Sequence, residues 1–406
     1  MSQRSSLPRV PQVCIILESS HWASRARFQG ILDYLRLYHT WCLHFVLGGP
    51  EGQRLPQPSY WRGDGFIARV PDTGLALKLA SQKKPVVLLD PDAEVTLLLP
   101  QCSRVSLDNE LVSQMAADYF LKMDHKRFAF VEPLLARNWA VTRRNSFMRI
   151  LQNKHFSCEV FTPNRARATS WEKERRHLCD WLLSLPKPIA ILAASDVEGR
   201  EIIDACLFLR IGVPYEVAVL GIGNDEFLCN SCFPALSSID ICWEDGGFLA
   251  ASLLDAKMKN RKTPQSILAY GPKRIVERRS TERVQLTDKF VVSVLEMIRV
   301  RDGLDIHVGT LARQLNVSRQ WLQKKFKEQV GHSVIDEIQL RRMEKVKSLV
   351  AESDRTFNEI AAMCGFESGN HLRFLFKKMT GQTMTDFRND YVRRTLPNHS
   401  SCMRGQ

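Results

Sequence analysis

The stretch LARQLNVSRQWLQKKFK, residues 311–327, encodes a helix, a turn and a second helix. The plan recurs as IAAMCGF, residues 360–366, followed by LRFLFK, residues 372–377. In each copy an apolar pair four residues apart turns one helical face inward, Leu322 with Phe326 and then Leu372 with Phe376. Ser318 and Ser368 stand where a helix needs a side-chain oxygen to cap its first turn. Asn316 suits the left-handed backbone of the first turn, and Gly365 that of the second. Thr356 and Glu359 have capping-box spacing. Residues 333–350 read as one long helix joining the copies, with Ile335, Ile338, Met343, Val346 and Leu349 inward. Two helix-turn-helix units in one chain predict two recognition helices for neighbouring major grooves of a DNA duplex. Arg319, Gln320, Gln323 and Lys324 in the first unit hold early outward positions, as do Gly369, Asn370, His371 and Arg373 in the second. Lys327, Lys377 and Lys378 are better spaced for phosphate. A helical bundle that binds no DNA would share the apolar spacing, but it has no need of the duplicated turn.

Composition agrees with this reading. The chain has 406 residues, enough for two or three domains, and a net charge of +13. Residues 284–406 carry 20 Lys and Arg against 14 Asp and Glu, about twice the basic surplus per residue of the remainder. Such a surplus suits phosphate contact. No apolar run is long enough to span a membrane, and residues 1–11 lack the apolar centre of a secretory signal. The 11 cysteines are scattered without a disulfide framework, as in a reducing compartment. Cys229 and Cys232 form a lone CxxC with no second ligand pair, so no metal is expected. The expectation from these features is a cytoplasmic chain, at the nucleoid when bound to DNA, with no membrane partner.

Residues 12–280 follow a different pattern. Short apolar runs at Val13–Leu17, Gly65–Ala68, Val86–Leu89, Phe128–Val131, Ile189–Ala193 and Val217–Ile222 suit parallel strands buried on both faces. Helix-length segments lie between them, among them 25–37, 109–123, 143–152, 171–185, 198–209 and 246–259. This alternation predicts an α/β fold, and it stops near residue 283. Open α/β sheets bind ligands at the carboxyl ends of their strands. Three such ends are polar here: Glu18 to Trp22, Ser195 with Asp196, and Gly223 to Asp225. Trp139 and Arg143 follow a fourth strand. A carboxylate and an Arg can take paired hydroxyls, and a Trp face packs on the C–H face of a sugar. Each has a plainer reading as well: Asp196 as a helix cap, Trp139 as hinge packing, Ser20 and His21 as loop residues.

The C-terminal pattern, with Arg342, Cys364-Gly365-Phe366, Thr383 and Phe387-Arg388, closely resembles the AraC family of bacterial transcription regulators. It departs from that family at Met384, usually Pro, and at His371-Leu372, usually an aromatic pair. The stretches around Ser106–Glu110, Asp118, His125, Ala194–Asp196, Leu220–Asp225 and Pro234–Ser238 resemble LacI/GalR-type, periplasmic-binding-protein-like sensors. With Glu277-Arg-Arg-Ser-Thr281 at the joint, the combination is similar to the XylR subgroup of AraC regulators. The resemblance implies a two-lobed sugar-sensing and dimerisation domain over 11–283, with lobes of 11–124 plus 243–270 and 125–241 plus 271–280. An all-α double helix-turn-helix domain would follow over 284–400. It also implies a ligand set of Trp22, Arg25, Trp139, Arg143, Asp196 and Asn224, in which Arg143 and Asp196 match ligand-contacting positions. Gly223 stands where many such sensors have a second ligand-contacting Asp, leaving Asn224 or Asp225 to replace it.

The expected function is a DNA-binding transcription activator controlled by xylose or a related monosaccharide. Its expected partners are operator DNA, the sugar, a second copy in a homodimer, and RNA polymerase. A regulator whose α/β part only dimerises or docks a protein is the alternative. An enzyme is not expected, since the sequence shows no acid/base pair with a metal set and no nucleophile elbow. No cofactor is expected.

Overall fold

Val, Ile, Leu and Phe dominate the central strands because helices cover both faces of each sheet. The computed structural model describes residues 9–395 apart from 19, 39, 47–62, 71–72, 135–137, 164–169, 260–266, 283–287, 302 and 305. The side chains of 289, 352 and 392–395 are also outside the description. The expected boundary at 283 and the expected residues 396–400 therefore fall outside it. Two units partition the chain, Met1–Arg283 and Val284–Gln406.

The first unit starts with β1 (Gln12–Ile16), α1 (Trp22–Tyr38), β2 (Cys42–Val46), β3 (Gly65–Ala68), α2 (Thr73–Ser81), β4 (Val86–Leu89), α3 (Ala93–Leu98), β5 (Ser103–Leu107) and α4 (Asn109–Lys122). It continues with β6 (Phe128–Val131), α5 (Asn138–Gln152), β7 (Cys158–Phe161), α6 (Trp171–Ser184), β8 (Ile189–Ala193), α7 (Asp196–Leu209), β9 (Val217–Gly223), α8 (Glu226–Ser231) and β10 (Ser237–Ile241). Then come α9 (Trp243–Met258), β11 (Ile267–Tyr270) and β12 (Pro272–Val276). Among the described residues the strands form two six-stranded sheets, ordered β11-β5-β4-β3-β1-β2 and β12-β10-β9-β8-β6-β7. Every pairing is parallel except β10 with β12. The chain thus passes between two lobes after α4, after β10 and after β11. This is an α/β two-lobed architecture resembling the periplasmic-binding-protein fold.

Phe128, Phe130 and Phe147 are fully buried in the second lobe, and Phe66 and Phe120 in the first. Each such ring contributes roughly 1.5–3 kcal/mol. Helix α9 returns to the first lobe and packs on α1, β3, β4 and β5. Glycines permit the close crossing with α1. A methyl at Gly30 would stand 1.8 Å from the Glu244 carbonyl oxygen, and one at Gly247 would stand 1.8 Å from that of Arg27.

The unit closes with a 3-10 turn, Arg279–Thr281, held by a set of hydroxyls. Ser280 Oγ donates to the Val219 carbonyl at 2.6 Å and accepts from the Ser237 amide at 2.7 Å. Thr281 Oγ1 donates to Ser237 Oγ at 2.7 Å and lies 2.8 Å from the Tyr119 hydroxyl of α4. The end of the sensor-like unit is therefore tied to both lobes.

The second unit is helical: α10 (Lys289–Val300), α11 (Val308–Gln314), α12 (Arg319–Val330), α13 (Val334–Glu352), α14 (Phe357–Met363), α15 (Gly369–Thr380) and α16 (Met384–Thr395). Ser318 caps α12 by accepting from the Trp321 amide, and Ser368 caps α15 by accepting from that of His371. Capping boxes open α13 and α14. Asn316 is left-handed at φ 55°, as is Gly365 at φ 70°. Ile335, expected inward, is exposed, and Val334 is buried in its place. Ile338, Met343 and Val346 are buried as expected, so the departure from the apolar spacing is confined to the first turn of α13. Arg342 donates from Nε to the Gly303 carbonyl at 2.6 Å and from Nη1 to that of Gly365 at 3.1 Å. Arg388 donates to the carbonyls of Val350 at 2.9 Å and Arg355 at 2.8 Å. Both arginines thus satisfy carbonyls at helix ends and turns, an architectural role.

Candidate functional site

A cavity of about 550 Å³ opens where the carboxyl ends of the strands of both sheets meet. Its volume is ordinary for a small-molecule site. Trp22, Arg27, Asp90 and Asn109 line it from the first lobe, and Trp139, Arg143, Asp196 and Gly223 from the second.

Arg143 is its central cation, projecting from α5. Only 5% of its surface is exposed. Nε donates to Asn109 Oδ1 at 2.7 Å across the lobes, and Nη1 donates to the Ala194 carbonyl at 2.6 Å. Its guanidinium carbon lies 4.5 Å from the centroid of the Trp139 ring. Neither hydrogen-bond acceptor is charged. Burial lowers its pKa to about 10, against the pull of Asp90, Tyr270, Glu198 and Asp196. The group stays cationic at neutral pH, and among the described residues Nη2 makes no hydrogen bond.

Asp196 is the matching anion, with 2% exposure. It is not the helix cap. Ser195 caps α7 by accepting from the Val197 amide, which leaves the Asp196 carboxylate to turn away from the helix. Oδ1 accepts from the Ser238 hydroxyl at 2.5 Å, and Oδ2 accepts from the Asp225 amide at 2.8 Å. Burial pushes its pKa up to about 6 in spite of those two donors. An ionised carboxylate has about four acceptor positions, so two remain for a ligand. Gly223 sits at φ 129°, and a Cβ there would approach Asp196 Oδ2 to 3.1 Å. A second carboxylate at 223 would crowd the first, whereas glycine leaves that side of Asp196 open.

Two residues of the expected ligand set require correction. Arg25 does not line the cavity. Its Nη1 donates to the Ser20 carbonyl at 2.9 Å, on the exposed side of α1. Two residues further on, Arg27 falls on the buried face with Gly30, Ile31 and Tyr34 and reaches the cavity. Asn224 does not line it either. Its left-handed backbone, φ 54°, turns the side chain to accept from Arg278 Nη2 at 3.0 Å. Trp22, Trp139, Arg143 and Asp196 are brought together.

Sequence reasoning missed a cluster in the first lobe. Arg27 pairs with Asp90, donates to the Tyr270 hydroxyl at 2.9 Å and lies 4.4 Å from the Trp243 ring. The Tyr270 hydroxyl donates to Asp90 Oδ2 at 2.8 Å. Burial is the strongest single influence on Arg27 and opposes its charge, but Asp90 and Tyr270 together outweigh it and raise the Arg27 pKa. Two signals were available: Asp90 ends an apolar run, and Arg27 is a charge within an apolar helical face.

In the second unit α12 and α15 repeat one exposure pattern. Arg319, Gln320, Gln323, Lys324 and Lys327 are exposed on α12, as are Asn370, His371, Arg373, Lys377 and Lys378 on α15. Gly369 requires correction as a DNA contact. It is buried against α14, where an added Cβ would meet Asn358 Oδ1 at 1.9 Å. Arg319 folds back across α11, so that a methyl at Gly309 would stand 2.0 Å from its Nη2. Arg373 donates to Asn370 Oδ1 at 2.9 Å and lies over the Phe357 ring.

Comparison with known proteins joins the two halves. A periplasmic binding protein-like domain matches residues 117–281, and a helix-turn-helix domain matches 311–390. The xylose operon regulatory protein of Escherichia coli (strain K12) is 29% identical over 338 residues, 83% of this chain and 86% of that protein. The chain is a homologue of these regulators. The xylose operon regulatory protein of Haemophilus influenzae is 27% identical over 327 residues, 80% of this chain and 84% of its own length. A solved structure of the xylose-binding transcription activator xylR superposes with a TM-score of 0.83 at 27% identity, covering 94% of this chain and 99% of that one. The homologue thus combines a periplasmic-binding-protein-like part with an AraC-type helix-turn-helix part. Among the described residues no helix is long and apolar enough to cross a membrane.

Proposed function

We propose that the chain is a sugar-sensing transcription regulator: α12 and α15 read operator DNA, and xylose or a related monosaccharide in the cavity controls the reading. The observation that carries this is the chemistry of the cavity. A buried cation with an unused N–H, a buried carboxylate with open acceptor positions and two Trp faces come together from two lobes. Sugar hydroxyls donate and accept in pairs, so Arg143 and Asp196 complement them. A part that only dimerises or docks a protein has no use for such a cavity.

A ligand held by both lobes favours the arrangement in which they close on it, and it acts only through that difference in affinity. The expected assembly is a homodimer in the cytoplasm that activates transcription beside RNA polymerase, with no catalytic step. The test is unfolding against a panel of pentoses and hexoses, with DNA binding as a second readout. A sugar that binds only the native state adds roughly 2.7 kcal/mol at one hundred times its dissociation constant. No stabilisation by any sugar on the panel would favour the docking alternative.

A further inference from the structure

We infer that Phe374 is a base-reading residue, contacting the C5-methyl group of a thymine in the major groove. This rests on the proposed DNA-reading role of α15. An α-helix turns about 100° per residue, so Phe374, midway in sequence between Leu372 and Phe376, points about 180° from their bisector. Leu372 and Phe376 are fully buried, whereas Phe374 is 66% exposed. The most outward position of the recognition helix therefore carries a bare aromatic ring. Its helical neighbours, three and four residues away, are His371, Lys377, Asn370 and Lys378, all exposed. Among the described residues Phe374 makes no ring contact.

The internal repeat sharpens the point. Aligning Ser318 with Ser368 pairs Phe374 with Lys324, opposite the buried Leu322 and Phe326 of α12. One unit thus presents a cation at this position and the other an apolar group. A large ring left in water on a helix of basic and amide side chains suits a partner that is polyanionic overall and apolar at one point. In the major groove that point is the thymine methyl. A protein partner docked on the same row would meet Lys377 and Lys378 beside the ring with no phosphate to neutralise them, so we commit to DNA.

The experiment uses the full-length chain and a random-core duplex library. Duplexes enriched by the parent are remade with each thymine replaced in turn by deoxyuridine, which lacks only the methyl. Affinities are then measured for the parent, Phe374→Ala and Phe374→Lys. Because the side chain is exposed, both variants should fold, and retained binding to the enriched duplex checks this. We expect at least one thymine whose replacement weakens the parent about fourfold, the equivalent of roughly 0.8 kcal/mol for one buried methyl group. The same replacement should leave both variants unchanged. Phe374→Lys should bind with a steeper salt dependence. Deoxyuridine sensitivities identical in parent and variants would overturn the assignment while leaving DNA reading intact. Loss of transcription activation in Phe374→Ala with an unchanged thymine profile would overturn it in favour of a protein contact. Failure of the parent to enrich any duplex would overturn the DNA-reading role itself, and this inference with it.

Discussion

Asp196→Asn separates the two things the Asp196 carboxylate does, because it removes the charge and keeps the shape. The amide oxygen can still accept from the Asp225 amide. The amide nitrogen can donate to Ser238 Oγ, which already accepts from the Asn224 amide at 3.0 Å. What disappears is a buried negative charge whose pKa is raised from 3.8 to about 6. At 1.36 kcal/mol per pH unit, that rise is worth about 3 kcal/mol. The sign follows from proton linkage. Between pH 3.8 and about 6 the unfolded chain gives up the proton while the folded chain keeps it, so stability falls with rising pH through that window and levels off above it. In the unliganded protein, Asp196→Asn should therefore be more stable than the parent at pH 8, by up to about 3 kcal/mol, and the advantage should shrink toward pH 4. Sugar binding should move the other way. Exchanging a charged acceptor for an amide removes a hydrogen bond worth roughly 1.5–3 kcal/mol, a tenfold to more than hundredfold loss of affinity. Since the ionised form is the acceptor, D-xylose should bind the parent more tightly as pH rises through about 6, and the variant without that dependence. Urea unfolding at pH 5 and pH 8, with and without D-xylose, measures all of this. A variant less stable than the parent at pH 8, or one that keeps the parent's sugar affinity, would refute the reasoning.

Arg143→Ala should weaken D-xylose binding by roughly 1.5–3 kcal/mol in calorimetry and leave DNA affinity in the absence of sugar unchanged. Asn370→Ala should alter which sequence is preferred, at roughly 1–3 kcal/mol for the cognate site, as read from an operator library. Lys377→Ala should weaken all sequences alike and reduce the slope of log affinity against log salt by about one. If those two variants behave alike, the division into base and phosphate contacts fails. A Gly/Ser stretch inserted after Thr281 should preserve sugar binding and DNA binding separately and abolish the effect of each on the other's affinity. Equal sugar affinity with and without DNA in the uninterrupted chain would eliminate lobe closure as the link.

Strands buried on both faces were legible where they write a continuous apolar run, as in β4, β8 and β9, but the interior strands β5 (SRVSL) and β10 (SSIDI) interleave polar residues and were not. The edge strands β2 and β7 were not, since CLHFV and CEVF are partly exposed and mix polar with apolar residues. Helix starts in the second unit were legible from their capping side chains, as at Ser318, Thr356 and Ser368, whereas the cap of α7 is Ser195 and not the neighbouring Asp196. The site was half legible. Strand-end polarity pointed to Asp196, but only the helical phase of α1 separates Arg27 from Arg25, and only a left-handed backbone turns Asn224 toward Arg278. Gly369 failed as a contact because spacing counts positions and cannot see Asn358 lying against the one without a side chain.

The return of α9 and β11 to the first sheet has a consequence for the order of manufacture. A ribosome finishes β1 to α4 early, yet that lobe lacks the helix that crosses α1 at Gly30 and covers β3 to β5. Every strand of the second lobe but β12 is synthesised before that helix arrives. The lobe begun first is thus completed late, and its unfinished sheet must wait with apolar surface bare, the circumstance in which nascent chains call on chaperones. Both sheets have all their strands by Val276, before Lys289 opens the first helix of the reader. In the growing polypeptide the sensing cavity is ready before there is anything for it to control.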